Sequence, residues 1–435
     1  MNFVLFLILN AVLLIRPEEL FPEIAVFHLY YIVIVVSAIT NITNLFDLLT
    51  WSSLRQRPVT VCILTYYFAN ILSLCVLGRT EEAFFEHGLD FAKVILYYFL
   101  LLATVNTQAR FRTFVAFLTL LIGILTAVAL INLYEIHHFT NIIPCQQTEI
   151  DPVSGAEFML PRLVSTGIFN DPNDLCLVLG LGILSCVYCA TTANGWAGWF
   201  VWLLPIPLFV FALFETHSRG GFVGVLAGGA AYIYSRYGGP KSLPYAALGV
   251  VVVLAISGGR QASLEGGGTA HQRVIAWADG LKGLVDQPLY LPTGLGVGWF
   301  VSESELVAHN SFIQAYVEQG ILGGGAFLAA FLFSARMVDR IGRGIEAPEW
   351  VLRARPYAFA ALGAYAMGCY SITRNFVVPT YLTLGLVSVL LDQAAETLPE
   401  KYQVNRGWFV RFAVFAVAGL VVIKFATQAL GLAGV

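Results

Sequence analysis

Charge is scarce in this sequence. Of 435 residues only 12% are Asp, Glu, Lys or Arg, while 58% are hydrophobic. With a mean hydropathy of +0.76, the chain carries more apolar surface than a water-soluble core can hide. A soluble globular fold is thereby excluded, and lipid is the expected solvent. The 24 basic and 27 acidic residues leave a net charge of −3, too small and too dispersed to attract nucleic acid. Other absences narrow the chemistry. No Asp-x-Asp occurs, which disfavours a sugar-nucleotide transferase that works through a divalent metal. Gly294, Gly296 and Gly298 follow no strand pattern, so they do not read as a nucleotide loop. His137 and His138 are adjacent and lack the i, i+4 spacing of helical metal ligands. Cys186 and Cys189 lie inside an apolar run, where small residues pack, and Cys145 stands alone in a polar loop. No disulfide framework is evident.

What remains is a succession of apolar runs. A spanning helix needs about 20 such residues, because the hydrocarbon is about 30 Å thick and a helix rises about 1.5 Å per residue. Interruptions by charge, Pro and Gly place spans at 2–15, 23–46, 58–77, 90–106, 112–134, 174–191, 197–214, 221–236, 243–258, 310–335, 356–372, 376–391 and 408–427. The expected fold is an all-α polytopic integral membrane protein, one membrane domain over 1–435 with twelve or thirteen helices. The first run has no basic flank before it and ends at Arg16-Pro17-Glu18-Glu19, so it reads as a helix rather than a cleavable signal.

Alternate connections carry Arg55, Arg57, Arg110, Arg112, Arg236, Lys241, Arg336, Arg340, Arg343, Arg353, Arg355, Lys401 and Arg406. The positive-inside rule makes that set cytoplasmic. The opposite set holds Glu81, Glu82, Glu86 and Asp90 and the two longest polar loops, 135–173 and 259–309. These outer loops are where function is expected. Within the second, Val274, Trp277, Ala278 and Leu281 recur at helical spacing and predict a helix over 270–285.

Three short motifs fall on the outer side. Arg162 precedes Asn170-Asp171-Pro172-Asn173-Asp174, where Asp171 fits an N-cap and Pro172 a first helical position. Those polar residues can be a plain helix start, but an arginine among apolar neighbours needs a partner. His217-Ser218-Arg219-Gly220 opens the eighth span, with Gly220, Gly224 and Gly228 as a packing stripe. His309-Asn310-Ser311 opens the tenth, followed by Glu318, Gln319, Gly320 and three further glycines at 323–325. Asn310 or Ser311 can be only a cap. Yet three helix N-termini on one surface, joined by Arg162 and Arg219, make a site for an anion such as pyrophosphate. A histidine beside it is suited to take a proton from an attacking hydroxyl.

In their order and spacing, Arg162, the Asp171-Pro172-Asn173 element, Ser218-Arg219-Gly220, Arg273, Trp277, His309-Asn310, Glu318 and Gly320 resemble the O-antigen ligase and O-antigen polymerase superfamily. Arg16-Pro17-Glu18 and the run from Gly167 to Leu175 also look like its putative O-glycosylation ligase branch. The resemblance implies a fold related to the multi-spanning lipid-linked sugar transferases, in a bacterial cytoplasmic membrane with the active face periplasmic. It implies an undecaprenyl-pyrophosphate-linked glycan donor. The acceptor would be a glycolipid of the lipid A-core type or another hydroxyl, and the transfer would be inverting, without metal or cofactor. Arg162, Arg219, Arg273 and Arg260 would hold the pyrophosphate and His309 would be the base, with Asp171, Asn173, Ser218 and Asn310 in support. Ligase is favoured over polymerase or protein O-glycosylation by the finer resemblance. A transporter or flippase of a lipid-linked anion is the competing class. It should show repeated halves and charged or helix-breaking residues near the bilayer midplane, whereas no internal repeat is found and the distinctive residues cluster at one face.

Overall fold

The computed structural model describes residues 1–150, 157–238, 244, 269–304, 307–394 and 398–432. The span expected at 243–258 and Arg260 lie outside the described residues. The chain is a multi-pass membrane protein built almost wholly of helix. In order these are α1 (Asn2–Ile15), α2 (Leu29–Thr40), α3 (Ile42–Leu49), α4 (Pro58–Val76), α5 (Leu89–Thr104), α6 (Gln108–Leu133), α7 (Pro172–Thr192), α8 (Gly195–Leu203), α9 (Ile206–Glu215), α10 (Arg219–Tyr237), α11 (Thr269–Asp286), α12 (Ser311–Arg340), α13 (Glu349–Ser371), α14 (Val378–Ala394) and α15 (Arg406–Leu432). One departure from the all-α expectation is an antiparallel hairpin in the first long loop, β1 (Cys145–Ile150) against β2 (Glu157–Arg162), with Cys145 opposite Arg162.

Among the described residues, seven helices are long and apolar enough to cross a membrane, or eight if α2 and α3 count as one bent span. The difference from twelve or thirteen has physical causes. The run 23–46 is not one helix: α2 and α3 meet at 70°. At the bend the Asn41 side chain donates to the Ser37 carbonyl at 2.8 Å, competing with the helical ladder. α10 and α13 are long enough but glycine-rich or charged, and they face each other rather than lipid. A Cβ on Gly228 would lie 3.0 Å from the Ala360 carbonyl oxygen, and one on Gly363 would lie 2.8 Å from Ala231 Cβ. The glycine stripe is thus a packing seam. The helix expected over 270–285 is α11.

α12 departs most from its sequence reading. Gly320 has φ 65° and ψ −163°, and the chain folds back there. Phe312 stacks on Phe327 at 5.4 Å and on Phe331 at 5.6 Å, contacts that a straight helix rising about 1.5 Å per residue forbids. Glycines at 323–325 let the two arms touch, since a Cβ on Gly324 would lie 2.6 Å from Tyr316 Cα. The four backbone groups freed at the break find partners in the segment before it. Ile321 and Leu322 donate to the carbonyls of Leu291 and Pro292, at 2.8 and 3.1 Å, while Leu295 and Gly296 donate to those of Val317 and Glu318, at 2.8 and 3.1 Å. Gly294 and Gly296, with φ 85° and 97°, therefore serve backbone-to-backbone docking.

The hairpin's bend lies by the tip of α4, where Gly296 meets Leu77. Its start lies deeper. Asn375 donates both to the Ser311 carbonyl, at 2.8 Å, and to the Tyr66 hydroxyl, at 3.0 Å. Tyr66 is about 16 Å back from Leu77 by helix rise. Non-helical chain at that depth is tolerated because protein groups satisfy it.

Connections of the basic set meet at the opposite end. Arg57 pairs with Asp392 at 2.9 Å, Arg355 donates to the carbonyls of Ser235 and Ile341 at 2.8 Å each, and Val404 N–H donates to the Arg55 carbonyl at 2.8 Å.

Two alanine substitutions separate backbone strain from docking. At Gly78 (φ +78°) nothing lies within 4 Å of an added Cβ, so Gly78→Ala should cost only the left-handed strain, about 1–2 kcal/mol. At Gly320 the Cβ would meet Gly294 N at 2.5 Å and Pro292 C at 2.6 Å, adding about 1–3 kcal/mol of overpacking. Thermal melting of the detergent-solubilised protein should show Gly320→Ala as clearly the less stable; equal melting would contradict the docking.

Candidate functional site

α7 begins as its sequence predicts. Asp171 caps it, accepting from Asn173 N–H at 2.8 Å, with Pro172 in the first position. The Asn173 amide also donates to Asp171 at 2.8 Å, and its oxygen accepts from the Ser218 hydroxyl at 2.6 Å. Ser218 in turn caps α10, accepting from Gly221 N–H at 3.0 Å. Two side chains thus tie the starts of α7 and α10 together.

The tie to α12 runs through a residue that the sequence reading missed. Arg374, between α13 and α14, holds Asp174 with Nε at 2.6 and 2.7 Å from the two carboxylate oxygens, and reaches Asp171 with Nη2 at 2.7 Å. Its backbone N–H donates to the Ser311 hydroxyl at 2.8 Å, and that hydroxyl donates to the Ile372 carbonyl at 2.8 Å. Asn310 caps α12, accepting from Phe312 and Ile313 at 3.0 and 3.1 Å. The three expected N-termini do converge, although the first arm of α12 runs against its second. Topology held a signal for Arg374: it is an arginine in a connection that alternates with the basic set.

His309 sits immediately before the α12 cap with φ 50°, and His217 immediately before the α10 cap with φ 46°. Left-handed backbone costs a non-glycine residue about 1–2 kcal/mol; here the caps that follow hold it. Before His309, the Ala308 carbonyl is fixed by the indole N–H of Trp277 at 2.5 Å. That contact brings α11, and with it Arg273, against the site. The His309 imidazole has its pKa lowered from the ordinary 6.5, first by burial and then by the positive charge of Arg273; Asp171 opposes and Arg374 assists. It is therefore a neutral base at neutral pH. Burial also lowers the Arg273 guanidinium. For Arg374 burial works downward, but the bond to Asp174 and the two aspartate charges outweigh it and hold its pKa up.

Arg162 ends β2, pinned by Nε to the Thr216 carbonyl at 2.9 Å, while Leu163 N–H donates to the Glu215 carbonyl at 2.9 Å. Its two terminal nitrogens, and Arg273, bond no other described residue. Arg219 is exposed at the start of α10 and makes no hydrogen bond or ion pair among the described residues. It is beside Ser218 at the mouth of α10 and is not knit into the cluster. Ser218, Asn173 and Asn310 work here as caps and ties.

The two segments of the finer sequence resemblance touch. Arg16 pairs with Glu19 at 2.8 Å, and Glu19 accepts from Gly167 N–H at 2.6 Å. A Cβ on Gly167 (φ +61°) would lie 2.7 Å from Arg16 Nε, so a larger residue there would push the guanidinium aside.

Two cavities flank the cluster. One, of about 230 Å³, runs between α12 and α15 from Trp277 and Asn310 to Ile423 and is almost wholly apolar. The other, of about 520 Å³, lies against α1, α2 and α5; Ile168 and Phe376, close in sequence to Asp171 and Arg374, form part of its wall. No protein-family model matches the chain, and no curated protein matches it significantly. Function is therefore argued from the site itself.

Removing Arg374 leaves Asp174, whose side chain is 8% exposed, without its cationic partner. Arg374→Met should destabilise the protein by about 3–5 kcal/mol, the usual cost of breaking a buried pair. Adding Asp174→Asn should recover much of the loss, both read by thermal unfolding. A single variant as stable as the wild type would contradict the role given to this pair.

Proposed function

We propose that this protein transfers a glycan from a pyrophosphate-linked lipid to an acceptor hydroxyl, as an O-antigen ligase-like enzyme of a bacterial cytoplasmic membrane. The observation that carries the reading is a neutral, half-buried histidine set among Arg273, Arg374 and Asp171 where three helix starts converge. A guanidinium whose donors no described residue uses, that of Arg273, beside a neutral base suits a reaction whose leaving group is an anion and whose nucleophile is an alcohol. In the proposed step His309 takes the proton of the acceptor hydroxyl as its oxygen attacks the anomeric carbon. The bond from that carbon to the phosphate oxygen breaks with inversion, and the pyrophosphate leaves with the electron pair. The terminal nitrogens of Arg162 and the guanidinium of Arg273 receive its charge, with Arg219 at the mouth and Arg260 proposed on resemblance alone. No metal takes part.

The narrow apolar cavity beside Asn310 suits the donor's isoprenoid chain. The larger one suits an acceptor sugar: Arg16 and Lys93 are balanced there by Glu18 and Asp90, with Tyr30, Tyr31 and His28 between them. Such a lining offers hydroxyls donors, acceptors and aromatic faces without favouring an anion. Ligase is favoured over polymerase by the finer sequence resemblance alone, in which Arg16-Pro17-Glu18 and the run from Gly167 take part. Deleting the gene separates the two. Polymer accumulating on its carrier lipid marks a ligase, and single repeat units still capped onto their usual acceptor mark a polymerase.

His309→Ala should slow transfer about 10²–10⁴-fold while donor binding persists. Because its pKa lies below 6.5 and the neutral form is the base, kcat/KM should be flat above neutrality and fall as pH drops through that lowered pKa. Arg273→Met removes a neighbouring positive charge, which favours the protonated imidazole, so the acid limb should move to higher pH. A limb that stays in place or moves down would show that His309 is not the titrating base.

A further inference from the structure

We propose that the opposite, basic end of the molecule holds a site for one anionic phospholipid, seated where α6, α7 and α13 meet. A cavity of about 330 Å³ there is lined by Gln108 and Arg112 of α6, Thr192 of α7, and Glu349, Trp350 and Arg353 of α13. Tyr188 also lines it, and the same tyrosine lines a narrow apolar slot of about 40 Å³ between the same helices, walled by Val115, Leu181, Ala358 and Ala361. The polar chamber and the apolar slot share Tyr188, so a headgroup seated in the first sets the start of an acyl chain against the mouth of the second.

Charge selects the headgroup. Arg112 spends one terminal nitrogen on the Thr192 carbonyl, at 2.6 Å, which fixes the guanidinium at the rim, and no other described residue bonds its remaining donors. Arg353 faces it from α13, paired with Glu349, but that pair is 61% and 77% exposed. So exposed a pair is worth little and yields readily to a phosphate. Two cations against one carboxylate favour an anion over a zwitterion. Trp350, tilted against Phe111 with ring centroids 5.6 Å apart, is the kind of amphipathic ring that settles at headgroup level. Polybasic segments at a membrane surface gain about 1 kcal/mol per Lys or Arg from anionic lipid. The site is independent of the transferase reading, since it uses none of the residues assigned to the reaction.

Native mass spectrometry of the delipidated protein in detergent tests it. Dioleoyl phosphatidylglycerol should bind at one tight site, at least about tenfold more strongly than dioleoyl phosphatidylcholine. Arg112→Gln with Arg353→Gln, both at exposed positions, should abolish that preference, and Ala361→Phe should weaken both lipids by closing the slot. Millimolar inorganic phosphate should not displace the lipid. Equal binding of the two lipids, or a preference that survives the double arginine variant, would overturn the proposal. Displacement by phosphate alone would show a small-anion site in place of a lipid site.

Discussion

The guanidinium of Arg374 is the point on which the site end of this molecule depends. Chain segments far apart in sequence meet there: the start of α7 through Asp171 and Asp174, the start of α12 through Ser311, and the link between α13 and α14 that carries the arginine itself. In an apolar surrounding none of these charges is stable alone. Once paired they pin the starts of α7 and α12 to the link between α13 and α14. The bridge also consumes the aspartates. Their charge is turned toward Arg374, while among the described residues nothing bonds the terminal nitrogens of Arg162 or the guanidinium of Arg273.

A second constraint acts through backbone. The bend at Gly320 turns what is in composition a 30-residue apolar helix into two arms, and this brings Asn310 and Ser311 down beside Tyr66. The cluster thus forms at the depth where Arg374 emerges from α13. Without the carbonyls of Leu291 and Pro292 the bend would leave bare N–H groups. The docking glycines and the polar cluster therefore depend on each other.

Features set by local chemistry were legible in the sequence. The cap at Asp171 with Pro172, the caps at Ser218 and Asn310, the amphipathic helix α11 and the seam at Gly224 and Gly228 all follow from residues within a turn or two of one another. Features set by distant partners were not. Thirty mostly apolar residues from Ser311 read as a single span, because the groups that stabilise the break belong to the segment around Gly294. The bend at Asn41 was hidden inside an apolar run for the same kind of reason. Arg374 escaped notice because its meaning lies in Asp174, 200 positions earlier. Arg219 drew attention by its glycine-rich setting, yet it stands exposed while Arg162 is pinned.

The central claim is that a neutral histidine and metal-free cations drive transfer off a lipid pyrophosphate. The most direct measurement uses purified protein in lipid nanodiscs with a pyrophosphate-linked glycan, a glycolipid acceptor and excess EDTA. The account predicts one released lipid pyrophosphate per new glycosidic bond, with the anomeric configuration inverted and the rate unchanged by EDTA. Retained configuration, or activity lost to EDTA and restored by Mg²⁺, would contradict it.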